Sequence, residues 1–302
     1  KDIYKFFDRD GNTLVLRPDI TPSIARCVAK YFKDEILPIR LCYIGNTFIN
    51  NSSYQGKLKE VTQLGAELIN DDSVEADAEM LALTIECLLH SGLKEFQVEV
   101  GDADFFRALI DEAGIFNEDE ASDIRQLIEK KNVFGVEETV SKKDMADELK
   151  NIFLSFSELF GGLDILIHAK SLTTNKRAIS AIERLEKLYA ILTEYGYEKY
   201  ISFDLGMLSQ YNYYTGIIFK AYTYGTGEAI ATGGRYDNLV GQFGKDAPAI
   251  GLAIVIDQLI LALSRQKLLK DPDASDTLIL YSKDCRQQAV ELAKHFRSKD
   301  MN

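Results

Sequence analysis

The sequence predicts an α+β protein in which a mostly antiparallel sheet is flanked by helices and interrupted by a helical block. Short apolar segments bounded by turn residues predict strands over 38–48, 60–69, 95–100, 201–205, 213–222 and 249–256. Residues 102–162 are rich in charge and poor in β-branched runs, and apolar residues recur at helical spacing over 175–195. We therefore expect one sheet whose strands lie on both sides of a helical insertion.

Turn and capping signals define the elements near the start of the chain. Turn-forming residues lie between two apolar stretches within 4–16, which predicts a β-hairpin. Thr21 is predicted to cap a helix that has Pro22 in its first turn. The sequence at 72–75 is similar to a capping box and predicts a helix that runs to about His90.

Glycines are frequent between the late strands. Gly225, Gly227, Gly233 and Gly234 are predicted to form turns, where the backbone bends or approaches a ligand closely. A binding pocket is expected in this region.

A new pattern begins near residue 271. Residues 277–281 predict a strand, and residues 285–296 predict an amphipathic helix after it. We expect a core over 1–271, with the helical insertion and long helix at about 102–195. Residues 272–302 are predicted to be the start of an apparently incomplete C-terminal α/β domain.

The composition argues against several classes of function. The chain has 35 Lys and Arg against 47 Asp and Glu, a net charge of -12, so nucleic acid is not expected as its main partner. Its four cysteines form no C-x-x-C pair, which predicts neither a metal site nor a catalytic thiol. No stretch approaches the roughly 18 apolar residues that span a bilayer. We expect a cytoplasmic protein with no membrane segment and no cofactor.

Four short motifs occur in order along the chain: LRPDIT at 16–21, QLGAE at 63–67, NYYTG at 212–216 and GGRYDNL at 233–239. Alone, the last of them is a glycine turn and matches no dinucleotide or P-loop fingerprint. In this order and at these intervals, the four motifs together resemble those of histidyl-tRNA synthetases, over residues 4–258. The resemblance implies a class II aminoacyl-tRNA synthetase-like core with a helical insertion, and a late βα unit similar to the start of that family's anticodon-binding domain.

The resemblance also implies a pocket for free histidine. Its residues would be Asp19, Thr21, Gln63, Glu67, Tyr213, Tyr214 and Tyr236. Carboxylates and an amide can hold an α-ammonium and an imidazole N–H, and aromatic walls exclude water from the ring. Strand alternation points Gln63 and Glu67 to one face, and an extended segment would do the same for Asp19 and Thr21. Ordinary roles stay open: a helix cap for Asp19 and Thr21, and a solvated strand position for Glu67.

Three positions where histidyl-tRNA synthetases have arginines hold other residues here: Ile49, Ser209 and Gln258. Activation of an amino acid with ATP needs positive charge, because the transition state at phosphorus gathers negative charge. Loss of one such arginine costs on the order of 10³ to 10⁵ in rate. We therefore expect no ATP activation and no catalytic residues. Asp19 stands where that family usually has glutamate, which predicts a changed affinity for the ligand.

A retained amino-acid pocket beside lost arginines resembles the family of regulatory subunits of ATP phosphoribosyltransferase. The resemblance implies a chain that a short catalytic subunit requires, that transmits feedback by histidine in the first step of histidine biosynthesis, and that forms a homodimer within a hetero-oligomer. Two alternatives remain: a divergent histidyl-tRNA synthetase or amino-acid ligase paralogue that makes an adenylate, and an interaction module with a vestigial pocket. Histidine-dependent exchange of pyrophosphate into ATP would identify the first alternative, and calorimetry without histidine binding the second.

Overall fold

The computed structural model describes residues 3–50, 58–208, 213–269 and 277–299. The chain separates into two compact units, one ending at Gln266 and the other beginning at Lys267. The predicted boundary at residue 271 lies outside the described residues, so the division into a core and a second domain stays a prediction. No helix in the described ranges is long and apolar enough to cross a membrane.

The first unit contains ten strands and nine α-helices within its described residues. The first seven elements are β1 (Lys5–Phe7), β2 (Thr13–Val15), α1 (Thr21–Tyr31), β3 (Ile39–Phe48), β4 (Glu60–Ile69), α2 (Val74–His90) and β5 (Gln97–Asp102). The next seven are α3 (Ala103–Ala113), α4 (Glu118–Glu129), α5 (Val133–Ser141), α6 (Asp147–Ser155), β6 (Phe160–Gly161), α7 (Leu163–Ser171) and α8 (Lys176–Glu194). The last five are β7 (Ile201–Asp204), β8 (Ile217–Tyr222), β9 (Ala231–Arg235), β10 (Ala249–Val255) and α9 (Ile256–Arg265). The second unit contains α10 (Arg286–Arg297).

Eight of the strands form one sheet in the order β3-β4-β10-β9-β8-β5-β7-β6. Every neighbouring pair in it is antiparallel except β5 with β7. A parallel pair needs a long crossover connection, and the run from α3 to α8 supplies it. The predicted α+β fold, with a mostly antiparallel sheet flanked by helices, is confirmed.

Several local predictions near the start of the chain are also confirmed. Strands β1 and β2 pair as a hairpin, and the Asp8 carboxylate accepts hydrogen bonds from the backbone N–H groups of Asp10 (2.9 Å) and Asn12 (2.8 Å) in its turn. The Ser73 hydroxyl accepts from the backbone N–H of Ala76 at 3.1 Å and caps α2. The hairpin turn and the start of α2 therefore lie where the sequence predicted them, but Ala76 at the third helical position leaves no capping box over 72–75.

Thr21 does not cap α1 as predicted. It is the first residue of the helix, and Ile20 before it has a helical backbone conformation rather than an extended one. The carboxylate of Asp19 instead accepts from the backbone N–H of Thr21 at 3.1 Å. Asp19 therefore satisfies the first N–H of the helix, whereas a Thr21 cap would have accepted from an N–H two or three residues further on.

The turn predicted at Gly233 and Gly234 is wrong, because both residues lie inside β9. A Cβ on Gly233 would lie 2.2 Å from Cζ of Phe219, and one on Gly234 would lie 2.7 Å from the carbonyl oxygen of Ile217. These glycines allow close packing over the sheet and do not form a chain reversal.

The strand predicted at 277–281 is also wrong. In the second unit, the described residues form α10 and a short 3-10 turn, and residues 277–281 pair with no strand. Leu278 and Leu280 are largely exposed. A strand needs a neighbour for its backbone hydrogen bonds, which local apolar alternation cannot supply.

Candidate functional site

A narrow cleft lies over β4, β10 and β9, beside the first turn of α1. It brings together all seven residues predicted from the sequence: Asp19, Thr21, Gln63, Glu67, Tyr213, Tyr214 and Tyr236. Its other lining residues are Tyr43, Thr232, Gly233, Gly251, Leu252 and Ala253. Its free volume is about 40 Å³, which holds a few water molecules and not an amino acid. A ligand of that size can enter only if lining side chains move.

Glu67 lies at the buried end of the cleft and is only 2% exposed. Its Oε1 accepts a hydrogen bond from the Thr21 hydroxyl at 2.9 Å, and its Oε2 accepts one from the Tyr236 hydroxyl. Strand β10 places Gly251 opposite Glu67, and a Cβ on that glycine would lie 1.7 Å from Oε2. Glycine at position 251 therefore leaves the space that the carboxyl group occupies.

Burial raises the pKa of Glu67 to about 8. The nearby charge of Asp19 adds to the rise, while the hydrogen bonds from Tyr236 and Thr21 oppose it. Burial, together with Glu67, also raises the pKa of the Tyr236 phenol well above its ordinary value. Near neutral pH the Glu67 carboxyl is therefore mostly protonated, and a donor or cation brought against it favours the ionised form.

Asp19 connects the start of α1 to the segment before β8. Its Oδ1 accepts from the backbone N–H of Thr21, and its Oδ2 accepts from the Tyr213 hydroxyl at 2.9 Å. The predicted strand over 213–222 begins only at Ile217, so Tyr213 lies ahead of the strand. Asp19 thus accepts from the first N–H of α1 and also faces the cleft, so it contributes both to the helix start and to the site.

Tyrosine rings form the aromatic walls of the cleft. The Tyr213 and Tyr214 ring centroids are 4.9 Å apart, and the Tyr213 and Tyr236 rings meet nearly edge to face at 5.9 Å. The ring of Tyr43 covers Gly65, where a Cβ would lie 2.2 Å from its Cζ. Tyrosines from separate parts of the chain therefore enclose one small apolar space, and the Glu67 carboxyl lies at its buried end.

Sequence reasoning missed Tyr43 and Gly251 as members of this site. Tyr43 pairs across the sheet with Gly65, and Gly251 pairs with Glu67. Strand alternation could have placed each residue on a face, but only the register between strands shows what each one meets.

A buried ion-pair network lies behind the cleft. Arg235, which is 2% exposed, donates from Nε to Oδ1 of Asp77 at 2.8 Å and from Nη1 to the Asp237 carboxylate at 3.1 Å. From α8, Arg184 donates to the other oxygen of Asp77 at 2.7 Å. The network ties the end of β9 to the first turns of α2. It therefore fixes the backbone directly before Tyr236.

Two of the three positions that lack the expected arginine lie in the described ranges. Ile49 follows β3, and its backbone N–H donates to the carbonyl of Lys59 at 3.0 Å. Gln258 lies in the first turn of α9, and its buried Oε1 has no hydrogen-bond partner in the described part of the chain. Ser209 lies outside the described residues.

The raised pKa of Glu67 predicts that this residue makes the folded protein less stable as the pH rises. The unfolded carboxyl loses its proton near its ordinary pKa of 4.5, whereas the folded one keeps it to about pH 8. Between these values the stability from the protonated buried group is lost, by up to about 1.4 kcal/mol per pH unit. Glu67→Gln has no proton to lose, so its free energy of unfolding is expected to rise relative to the parent from pH 5 to pH 8.

Urea titrations of both proteins at several pH values measure this difference. Asp102, another buried carboxyl with a pKa that burial raises to about 7, is present in both and cancels. A constant difference between the two proteins across pH 5 to 8 would contradict the prediction.

The family model for histidyl-tRNA synthetase matches residues 1–259 of the chain. The fold and the cleft thus define a class II core of the histidyl-tRNA synthetase type. Over 99% of its length, the chain is 42% identical to the ATP phosphoribosyltransferase regulatory subunit of Acetivibrio thermocellus, of which it covers 71%. It is also 42% identical to the protein of that name from Ruminiclostridium cellulolyticum, over the whole chain and 72% of that protein. The chain belongs to the family of ATP phosphoribosyltransferase regulatory subunits.

A solved structure supports the same assignment. It is described as an ATP phosphoribosyltransferase regulatory subunit/histidyl-tRNA synthetase from Bacillus halodurans, and it is 36% identical to this chain. The match has a TM-score of 0.87 and covers 99% of this chain and 76% of that one.

Proposed function

We propose that this chain is a non-catalytic, cytoplasmic regulatory subunit required by a short-form ATP phosphoribosyltransferase catalytic subunit. In this role it binds histidine in the cleft around Glu67 and inhibits the first step of histidine biosynthesis when histidine is abundant. The observation that best supports histidine as the ligand is a buried carboxyl group enclosed by tyrosines, with a second carboxylate nearer the opening of the cleft.

The chemistry of the cleft suits histidine in one orientation. The imidazole ring fits the buried end, where Glu67 can accept from a ring N–H and the tyrosine rings exclude water. The α-ammonium then lies toward Asp19 and Gln63, which line the less buried part of the cleft. The α-ammonium and a ring N–H of the ligand each meet an acceptor, and the Gln63 amide, which can also donate, can serve the ligand's α-carboxylate.

The small free volume gives histidine a way to change the protein. Tyr213 now occupies one oxygen of Asp19, the same group that the ligand's ammonium would use. In so small a cleft, we expect the ammonium to displace the Tyr213 hydroxyl and to move the segment ahead of β8. Histidine inhibits if the moved form favours the inactive assembly, because an effector acts only through different affinities for two states.

The absence of a synthetase reaction is supported by the surroundings of the remaining arginines. Arg235 is buried against Asp77 and cannot reach a phosphate in the cleft without breaking that pair. Arg17 donates from Nε to the carbonyl of Asn46 at 2.8 Å, at the end of β3. Ile49 and Gln258, at two positions where histidyl-tRNA synthetases have arginines, supply no positive charge.

A homodimer within the hetero-oligomer is supported by apolar surface near the first edge of the sheet. Strand β3 is an edge strand, Ile44 on it is largely exposed, and so are Ile36 and Leu37 just before it. Exposed apolar side chains beside an edge strand favour pairing with another chain.

The proposal is tested by co-expression with a short ATP phosphoribosyltransferase catalytic subunit. We expect the two chains to co-purify, phosphoribosyl transfer to require this chain, and histidine to inhibit the complex but not the catalytic subunit alone. Failure to associate, or activity unaffected by histidine, would contradict the proposal. Histidine-dependent exchange of pyrophosphate into ATP by this chain would instead identify an adenylate-forming enzyme.

A further inference from the structure

A second cleft lies between α3 and α4, outside the proposed histidine site. Its free volume is about 550 Å³, which is enough for a small organic molecule. Phe106, Ile110 and Leu208 contribute apolar wall, and Arg107 and Arg125 contribute guanidinium groups. The cleft thus combines an apolar surface with two guanidinium groups, and Asp111 and Glu118 also line it.

On each of the two helices, helical spacing places these residues on the face that lines the cleft. On α3, Ala103, Arg107 and Ile110 are separated by four and three residues and share one face. On α4, Ser122 and Arg125 are three apart, and the arginine Nη2 lies 3.5 Å from the serine hydroxyl. Each helix therefore contributes one arginine to the same space.

The carboxylates near Arg107 are held by another arginine. Arg177 donates from Nε to Asp104 at 2.8 Å and from Nη1 to Asp111 at 2.6 Å. The hydrogen bond of Arg107 within the described ranges goes to the backbone carbonyl of Tyr214. Arg107 therefore has a partner that carries no negative charge.

Burial lowers the pKa of Arg107, and the charges of Arg177 and Arg125 lower it further while Asp104 opposes them. The attraction between a partly buried guanidinium and an anion is only weakly screened by water and salt. The second acidic residue at the cleft besides Asp111 is Glu118, which is exposed in the first turn of α4. Its charge is screened by solvent and leaves the positive end of the cleft in place.

We propose that this cleft binds a small organic anion. Its carboxylate or phosphate group pairs with Arg107 and Arg125, and its apolar body packs on Phe106 and Ile110. Guanidinium groups suit both anions, since their planar N–H pairs match the oxygen spacing of each.

The anion site is joined to the first cleft through Tyr214. Arg107 holds the carbonyl of that residue, and Tyr213 beside it donates to Asp19. An anion that draws the guanidinium away releases a segment that lines the histidine cleft, so the two ligands affect each other's binding. This coupling rests on the proposed function, whereas the anion site itself does not.

Calorimetric titration of the full chain with phenyl phosphate and with benzoate tests the site, and benzyl alcohol serves as the uncharged control. We expect one or both anions to bind and the alcohol not to bind. Tighter binding of phenyl phosphate identifies a phosphate ligand, and tighter binding of benzoate identifies a carboxylate. Equal binding of all three compounds, or of none, would overturn the proposal.

Arg107→Gln and Arg125→Gln are each expected to weaken anion binding at least tenfold. Arg286→Gln, which removes an exposed arginine from α10, is expected to leave it unchanged. Two variants on different helices keep the test open if one folds poorly. Loss of affinity in all three, or in neither cleft variant, would overturn the assignment. A saturating concentration of the anion is expected to change the affinity of the chain for histidine at least threefold. An unchanged affinity would disprove the coupling between the two clefts but not the anion site.

Discussion

Replacing Asp77 by asparagine is expected to lower the free energy of unfolding of the first unit by about 3 to 5 kcal/mol. Asp77 is fully buried and accepts from Arg235 on one oxygen and from Arg184 on the other. Asparagine removes the negative charge and turns an N–H₂ donor toward a guanidinium, so two positive groups lose their shared partner. Urea unfolding followed by circular dichroism measures the loss, since the chain has no tryptophan.

Glu79→Gln, two residues further along α2, is the matched control. Glu79 pairs with Arg40 at 2.6 Å, but both side chains are largely exposed. Such surface pairs contribute at most about 1 kcal/mol. Burial, and not the presence of an ion pair, therefore sets the expected difference. Equal losses of stability in the two variants would show that Asp77 does not hold the unit together.

The network around Asp77 also shows what the sequence could not predict about the fold. The helix α2 follows from its cap and its apolar spacing, which are local. Asp77 and Arg235, however, are 158 residues apart. The sequence around either residue gives no sign of the other, and a charged residue on a helix is usually solvated. The pairing exists only because the sheet brings β9 beside the start of α2.

Strand prediction succeeded at β3 and β4 and failed at β9, where side chains are missing. Strands β3 and β4 have apolar side chains and turn residues at their ends, and their bounds agree with the prediction within a residue. Strand β9 contains Gly233 and Gly234 and was predicted as a turn. Glycine permits both structures, and its use in β9 depends on the Phe219 ring that packs over it.

The members of the site were predicted mainly because four motifs occur together, with a smaller contribution from periodicity. Alternation correctly placed Gln63 and Glu67 in one cleft, whereas the same argument for Asp19 and Thr21 depended on an extended segment, and a helix begins there. The closeness of Asp19 and Tyr213 depends on tertiary structure alone, since they are 194 residues apart. The sequence therefore predicted which side chains form the cleft, and the fold determined how they bond to each other.

Replacing Glu67 by glutamine is expected to weaken histidine binding at pH 8 by roughly 10- to 100-fold. A hydrogen bond to a charged group contributes about 1.5 to 3 kcal/mol, and every 1.4 kcal/mol changes the affinity tenfold. The hydroxyl groups of Thr21 and Tyr236 can donate or accept, so they adapt to an amide. A ring N–H of the ligand can only donate, and it would face the amide N–H₂ in one of its two orientations. Calorimetry with free histidine measures the change.

Glu60→Gln is the control for this experiment, because it makes the same substitution at the exposed start of the same strand. It is expected to leave the histidine affinity unchanged. Loss of binding in Glu67→Gln cannot come from unfolding if urea titration shows that the variant is folded at pH 8, the pH at which the raised pKa of Glu67 favours the variant most. Affinity within threefold of the parent in a stable Glu67→Gln protein would place histidine elsewhere, since the one buried carboxyl of the cleft would then take no part in its binding.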